Sequence, residues 1–176
     1  PGASKGLEFF EERTPESIGK EASRIALVLL EAKDCPSGKM PVIIDNGFGG
    51  VIFHEACGHA LEASSVSKNQ SVFCNKLGQK VASDKVTAID DGTIPNAWGS
   101  QNVDDEGNLQ QKRVLIENGI LKSYMIDRLN GRRMGLESTS SSRRQSYKFE
   151  TTSRMTNTYI AAGNDDFDEM FEGIKR

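Results

Sequence analysis

The chain has 176 residues, 36% hydrophobic and 27% charged, enough to bury one substantial core and unlike the composition of disordered chains. A net charge of −3 and a pI near 5.5 argue against nucleic acid as a partner, because its binders concentrate Lys and Arg on one face. The longest apolar runs, such as Ile25 to Leu30, fall well short of the roughly 20 residues needed to cross a bilayer, and no signal-peptide pattern opens the chain. A soluble, cytoplasmic protein without membrane contact is therefore expected.

Cys35, Cys57 and Cys74 are odd in number and widely spaced, which does not fit a disulfide framework, so reduced thiols are expected. The opening Pro1-Gly2-Ala3 lacks a methionine, and the expectation is a single domain over 1–176 that is a piece of something longer.

In chain order, Thr14-Pro15 places a capping side chain before a proline at the first helical position, and Ile18, Ala22, Ile25 and Leu29 follow at helical spacing. An amphipathic helix over Pro15 to about Lys33 is predicted. Pro41 to Asp45 is short, apolar and β-branched and reads as a buried strand ended by Asn46-Gly47. Val51 to about Ser64 reads as a helix and Val86 to Asp90 as a strand, with turns at Asp91-Gly92 and at Glu106-Gly107-Asn108.

Lys112 to Glu117 and Ile120 to Met125 flank Asn118-Gly119, a pair that supplies the two positive φ angles of a type I′ hairpin. Ser138 to Ser142 with Arg143 and Arg144 reads as a mobile polar loop, and Met155 to Ala162 as a strand. Asn164 or Asp165 is the expected cap of a last helix carrying Phe167, Met170, Phe171 and Ile174, with Gly173 weakening its final turn. The fold class is α+β: an antiparallel β-sheet with an N-terminal amphipathic helix, a central helix and a C-terminal helix.

Both histidines of the chain fall in His54-Glu55-Ala56-Cys57-Gly58-His59, five positions apart, with one strong base, Glu55, between them. Zinc-peptidase helices space their histidines at i and i+4, with a Glu beside the first as general base. One residue more would leave the two imidazoles roughly 140° apart on a regular helix, too divergent for one ion. A π-bulge is therefore predicted across this segment, with Gly58 the least obstructive place for it. His54 and His59 are then metal ligands and Glu55 is the catalytic base, taking a proton from a water held by the metal.

Zinc suits these ligands, with another divalent metal such as iron as the alternative. Two histidines do not complete a catalytic zinc site, which has three protein ligands and an open position. Within the chain Glu62, Cys74 and Cys57 are weak candidates for the third.

The stretch from Gly47 to Glu62, with Asp90-Asp91-Gly92-Thr93, Asp104-Asp105-Glu106-Gly107, Val114 to Lys122 and Arg154 to Tyr159, resembles the TldD/PmbA family, metallopeptidases also called modulators of DNA gyrase. His54, Glu55 and His59 match the HExxxH motif of the TldD-type subunit; the PmbA (TldE) type lacks it. The resemblance implies a third ligand from a cysteine in a Gly-rich segment far downstream, so the chain resembles the middle of a family member, incomplete and inactive in isolation. It also implies hydrolysis of unfolded or short peptides and a PmbA (TldE) type partner subunit.

Blander readings stand beside these. The glycines at 47, 49 and 50 lack the spacing of a dinucleotide fingerprint and the Lys-Ser/Thr of a P-loop, so tight passage into a helix is preferred to phosphate binding. Asp90-Asp91 and Asp104-Asp105-Glu106 read as turn caps rather than a cation site, and Arg132-Arg133 and Arg143-Arg144 as solvated pairs. Strand edges within 86–125 are candidates for substrate pairing by strand addition. The competing function is a non-catalytic binding or scaffold module acting through protein contacts.

Overall fold

A computed structural model describes residues 2–172, which form two compact units dividing between Val42 and Ile43. In the first, a short helix α1 (Phe9–Glu12) precedes α2 (Pro15–Glu31). Thr14 caps α2 as expected, its hydroxyl accepting from the Ser17 N–H at 3.2 Å, and the helix ends two residues early as Ala32 turns extended. Its apolar stripe remains exposed, Leu29 by 67%.

The predicted strand from Pro41 to Asp45 does not form. Among the described residues no backbone pairing reaches it, and Val42 and Ile44 stay exposed. β-branched composition reports a fit to a pleated, packed surface and makes no strand without a neighbour.

The second unit is built on a four-stranded antiparallel sheet of order β3-β2-β1-β6, from β1 (Ala88–Asp91), β2 (Lys112–Glu117), β3 (Ile120–Leu121) and β6 (Thr158–Ile160). The hairpin turns at Asn118 (φ 48°) and Gly119 (φ 79°), as Asn-Gly requires. Gly119 is also needed for space, since a Cβ would lie 2.5 Å from the Ala82 carbonyl oxygen. β3 is shorter than predicted because the N–H groups of Lys122 and Ser123 both turn back to Leu115 O.

β1 and β2 are paired on both sides, and backbone bonds from Gly78 and to Gln79 cover the outer side of β3. The substrate-pairing edge expected within 86–125 is thus taken. The open edge among the described residues is β6.

Further along come α5 (Arg128–Met134), the two-residue strands β4 (Ser142–Arg143) and β5 (Thr152–Ser153), and α6 (Phe167–Glu172). The predicted mobile loop at Ser138 to Ser142 is instead packed, with Ser140, Ser141 and Ser142 buried. The cause is the buried ion pair of Arg113 with Asp90, 2.8 Å apart. Arg113 also donates to the carbonyls of Thr139 and Ser140, while Arg154 N–H binds Ser141 O at 2.7 Å. Small hydroxyl residues fit around a guanidinium that larger side chains would displace.

The turn reading of Asp90 is corrected by the same group. Asp90 lies inside β1 and accepts from Thr156 N–H, Thr156 Oγ1 and Thr158 Oγ1 as well as Arg113. Asp91 and Asp104 do cap turns, on Thr93 and on Glu106 and Asn108. α6 is capped by Asp166, whose Oδ1 accepts from the Asp168 and Glu169 N–H groups, because the expected Asp165 is held 2.7 Å from Lys85. Gly173 and Ile174 of that predicted helix lie outside the described residues.

Candidate metal centre

The helical trace that carries the histidines changes pitch three times. A 3₁₀ turn, Gly47–Gly49, leads into α3 (Gly50–Phe53), a π turn over His54–Gly58 and a second 3₁₀ turn over His59–Leu61. The helix predicted from Val51 to Ser64 is therefore broken at Glu62, whose backbone is extended (ψ 129°), before the single turn α4 (Ala63–Val66). The break is fixed by pairing: Met125 N–H donates to Leu61 O at 3.0 Å and Ala63 N–H to Met125 O at 2.8 Å.

The π turn falls where the five-residue spacing demanded it, and the His59 N–H closes its ring on His54 O. Phe53 on one side of the turn enters the core formed with Leu61, Leu115, Met125 and Met155. Gly58 is buried against Met155, whose Sδ would overlap a Cβ there. Its φ of −56° is ordinary, so close packing, not backbone freedom, is why a glycine stands in the turn.

With the extra residue absorbed, the rings of His54 and His59 meet edge to face, centroids 4.8 Å apart. The ligand atoms of His54, Glu55 and His59 all lie within 4.8 Å of one another, and Glu55 Oε2 is 3.9 Å from His59 Nε2. Two imidazoles and a carboxylate converging at a partly open surface fit a borderline-soft divalent ion of the zinc class.

Of the weaker ligand candidates, none of Cys57, Cys74 and Glu62 joins this cluster. Cys74 Sγ points to Val66 O at 3.5 Å, and burial pushes the Cys57 thiol up, away from thiolate character. Glu62 is buried under His59, with Oε1 3.1 Å from His59 Nδ1 and Oε2 3.5 Å from Arg154. Burial raises its carboxyl above the usual range, with Arg154 and His59 opposing. Its place three residues after His59, where the chain turns back, was the available signal for this contact.

The histidines open onto a cleft of about 860 Å³, lined also by Trp98, Arg143, Arg144, Phe149, Arg154 and Asn157. Asn157 holds its rim, donating to Asp91 O and Ser100 Oγ and accepting from the Gly99 N–H at 2.9 Å. Arg144 is engaged with Asp105. Nothing in spacing or periodicity marks Trp98 or Asn157 as cleft residues, since long-range packing brings them there.

A family model described as the PmbA/TldA metallopeptidase C-terminal domain matches residues 37–176. A Metalloprotease TldD homolog from Buchnera aphidicola is 50% identical over 155 residues, covering 88% of this chain and 32% of its own. Two of the similar crystal structures illustrate the fold. One, of a protein from Thermotoga maritima described as a candidate modulator of a DNA gyrase, gives a TM-score of 0.76 at 30% identity over 91% of this chain and 36% of its own. TldE from Thermococcus kodakarensis gives 0.63 at 26% identity, over 77% and 29%. With a HExxxH segment in a π turn above an antiparallel sheet and this span of agreement, the chain belongs to the PmbA/TldD metallopeptidase family. It spans about a third of the length of the curated relatives it matches.

Proposed function

We propose that this chain is the metal-binding core of a TldD-type peptidase that hydrolyses unfolded or short peptides, with His54 and His59 as metal ligands and Glu55 as general base. The observation that carries the reading is the π turn: it brings both imidazoles to one side and sets the Glu55 carboxylate beside them. A zinc-class ion held by His54 and His59 would supply Lewis acidity there, which acidifies water to a pKa of about 7. Glu55, largely exposed beside His59, would receive the proton of the attacking water and return it to the leaving amine. The aromatic faces of Trp98 and Phe149 and the open edge of β6 offer an extended peptide a surface to lie on.

The third ligand comes from outside these 176 residues, in keeping with the absence of a cysteine from the cluster among the described residues and with the share of its relatives' length that the chain spans. In this proposal the chain is a middle portion of a longer TldD-like metallopeptidase, inactive alone, working in the cytoplasm with a homologous subunit of the PmbA (TldE) type. No helix among the described residues is long and apolar enough to cross a membrane.

The test is Glu55→Gln in a chain extended to the length of its relatives. Peptide hydrolysis is expected to fall about 10²- to 10⁴-fold with metal content unchanged. Normal hydrolysis by the variant contradicts the mechanism and favours a scaffold role, and loss of the metal makes Glu55 a ligand instead of a base.

A further inference from the structure

Glu62 is buried at the wall of the cleft, between His59 and Arg154, and takes no direct part in the proposed chemistry. Its two oxygens are divided. Oε1 lies 3.1 Å from His59 Nδ1, and Oε2 faces Arg154 at 3.5 Å. The backbone on both sides is clamped to Met125, so the carboxylate is delivered by a fixed main chain. On the other side of the ring, Nε2 faces Glu55 Oε2 at 3.9 Å. The two nitrogens of His59 therefore have different surroundings: Nδ1 an enclosed carboxylate, Nε2 the open cleft.

We infer that Glu62 is a positioning residue for the metal centre: it accepts the Nδ1–H of His59, fixes the ring's tautomer and plane, and leaves Nε2 free as the ligand atom. The inference rests on the proposed reading of His59 as a metal ligand, but the tautomer itself does not depend on metal. An ionised carboxylate only accepts hydrogen bonds, so a neutral imidazole placed against it must carry its proton on the facing nitrogen. Arg154, 3.5 Å from the second oxygen, favours this orientation of the carboxylate by charge. Metal-binding histidines are oriented in this way by a carboxylate on their second nitrogen, and losing that partner weakens metal affinity about 10- to 100-fold.

Because His54 and His59 are the chain's two histidines, long-range ¹H–¹⁵N spectra of the imidazoles report each tautomer with little ambiguity. In this chain without metal, with the ring neutral, His59 is expected as the Nδ1–H tautomer. The expected pattern survives in Glu62→Gln, which keeps an acceptor, and gives way to Nε2–H in Glu62→Leu. Arg154 is half-exposed and can turn to solvent in the leucine variant. Zinc affinity in the extended chain, measured by chelator competition, should fall about 10- to 100-fold in Glu62→Leu and recover in Glu62→Gln.

Wild-type His59 as Nε2–H overturns the inference before any variant is made. An Nδ1–H ring with zinc affinity unchanged in Glu62→Leu overturns the positioning role. An Nδ1–H ring in a protein that binds no zinc at all overturns the metallopeptidase reading instead, and with it the purpose assigned to Glu62.

Discussion

Asp127 shows how much one buried carboxylate holds together in this unit. It caps α5, accepting from the Asn130 N–H at 3.0 Å and from Asn130 Nδ2 at 2.6 Å, and it accepts from the Ser153 hydroxyl of β5. Burial alone would raise its carboxyl, but the hydrogen bonds from Ser153 and Asn130 outweigh this and hold it below the ordinary aspartate range. A depressed folded-state pKa means a contribution to stability that is complete above the unfolded value of about 3.9 and is lost as pH falls through the folded value. Acid titration of unfolding should therefore show a loss of stability on the low side of that range, and Asp127→Asn should remove this pH-dependent share. An unchanged acid limb in the variant would assign it to other carboxylates.

At the scale of elements, the π turn and its glycine can be tested without any metal. Gly58→Ala forces a Cβ into Met155, and overpacking of this kind costs typically about 1–3 kcal/mol. Met155→Ala opens the space, so in denaturant unfolding the two substitutions together should cost less than their sum. Strict additivity would mean that the turn does not depend on this contact.

The spacing of His54 and His59 made the pitch change legible, because five residues on a regular helix cannot bring two rings together. The hairpin was legible for a similar reason, Asn118-Gly119 admitting few other turns. What could not be read were features decided by partners distant in sequence. Pro41 to Asp45 has strand composition but nothing to pair with among the described residues. The serines at 140 to 142 look like a solvated loop until Arg113 is placed beneath them. Glu62, weighed in the sequence as a possible ligand, sits instead on the far side of the His59 ring because Met125 bends the chain there.

For the whole molecule, the proposed metal centre needs one protein ligand more than the two imidazoles it assigns to the metal. Among the described residues the parts already present are a converging pair of imidazoles, a carboxylate beside them, a second carboxylate behind one ring and an unpaired strand edge.

The most direct measurement is zinc-edge X-ray absorption on the extended chain, loaded with one equivalent of zinc. The account predicts scattering from two imidazoles and one sulfur around each ion, with His54→Ala and His59→Ala each reducing the imidazole count by one. A zinc ion that retains both imidazoles in either variant, or that shows none in the unaltered chain, would contradict the claim that these two rings share one metal.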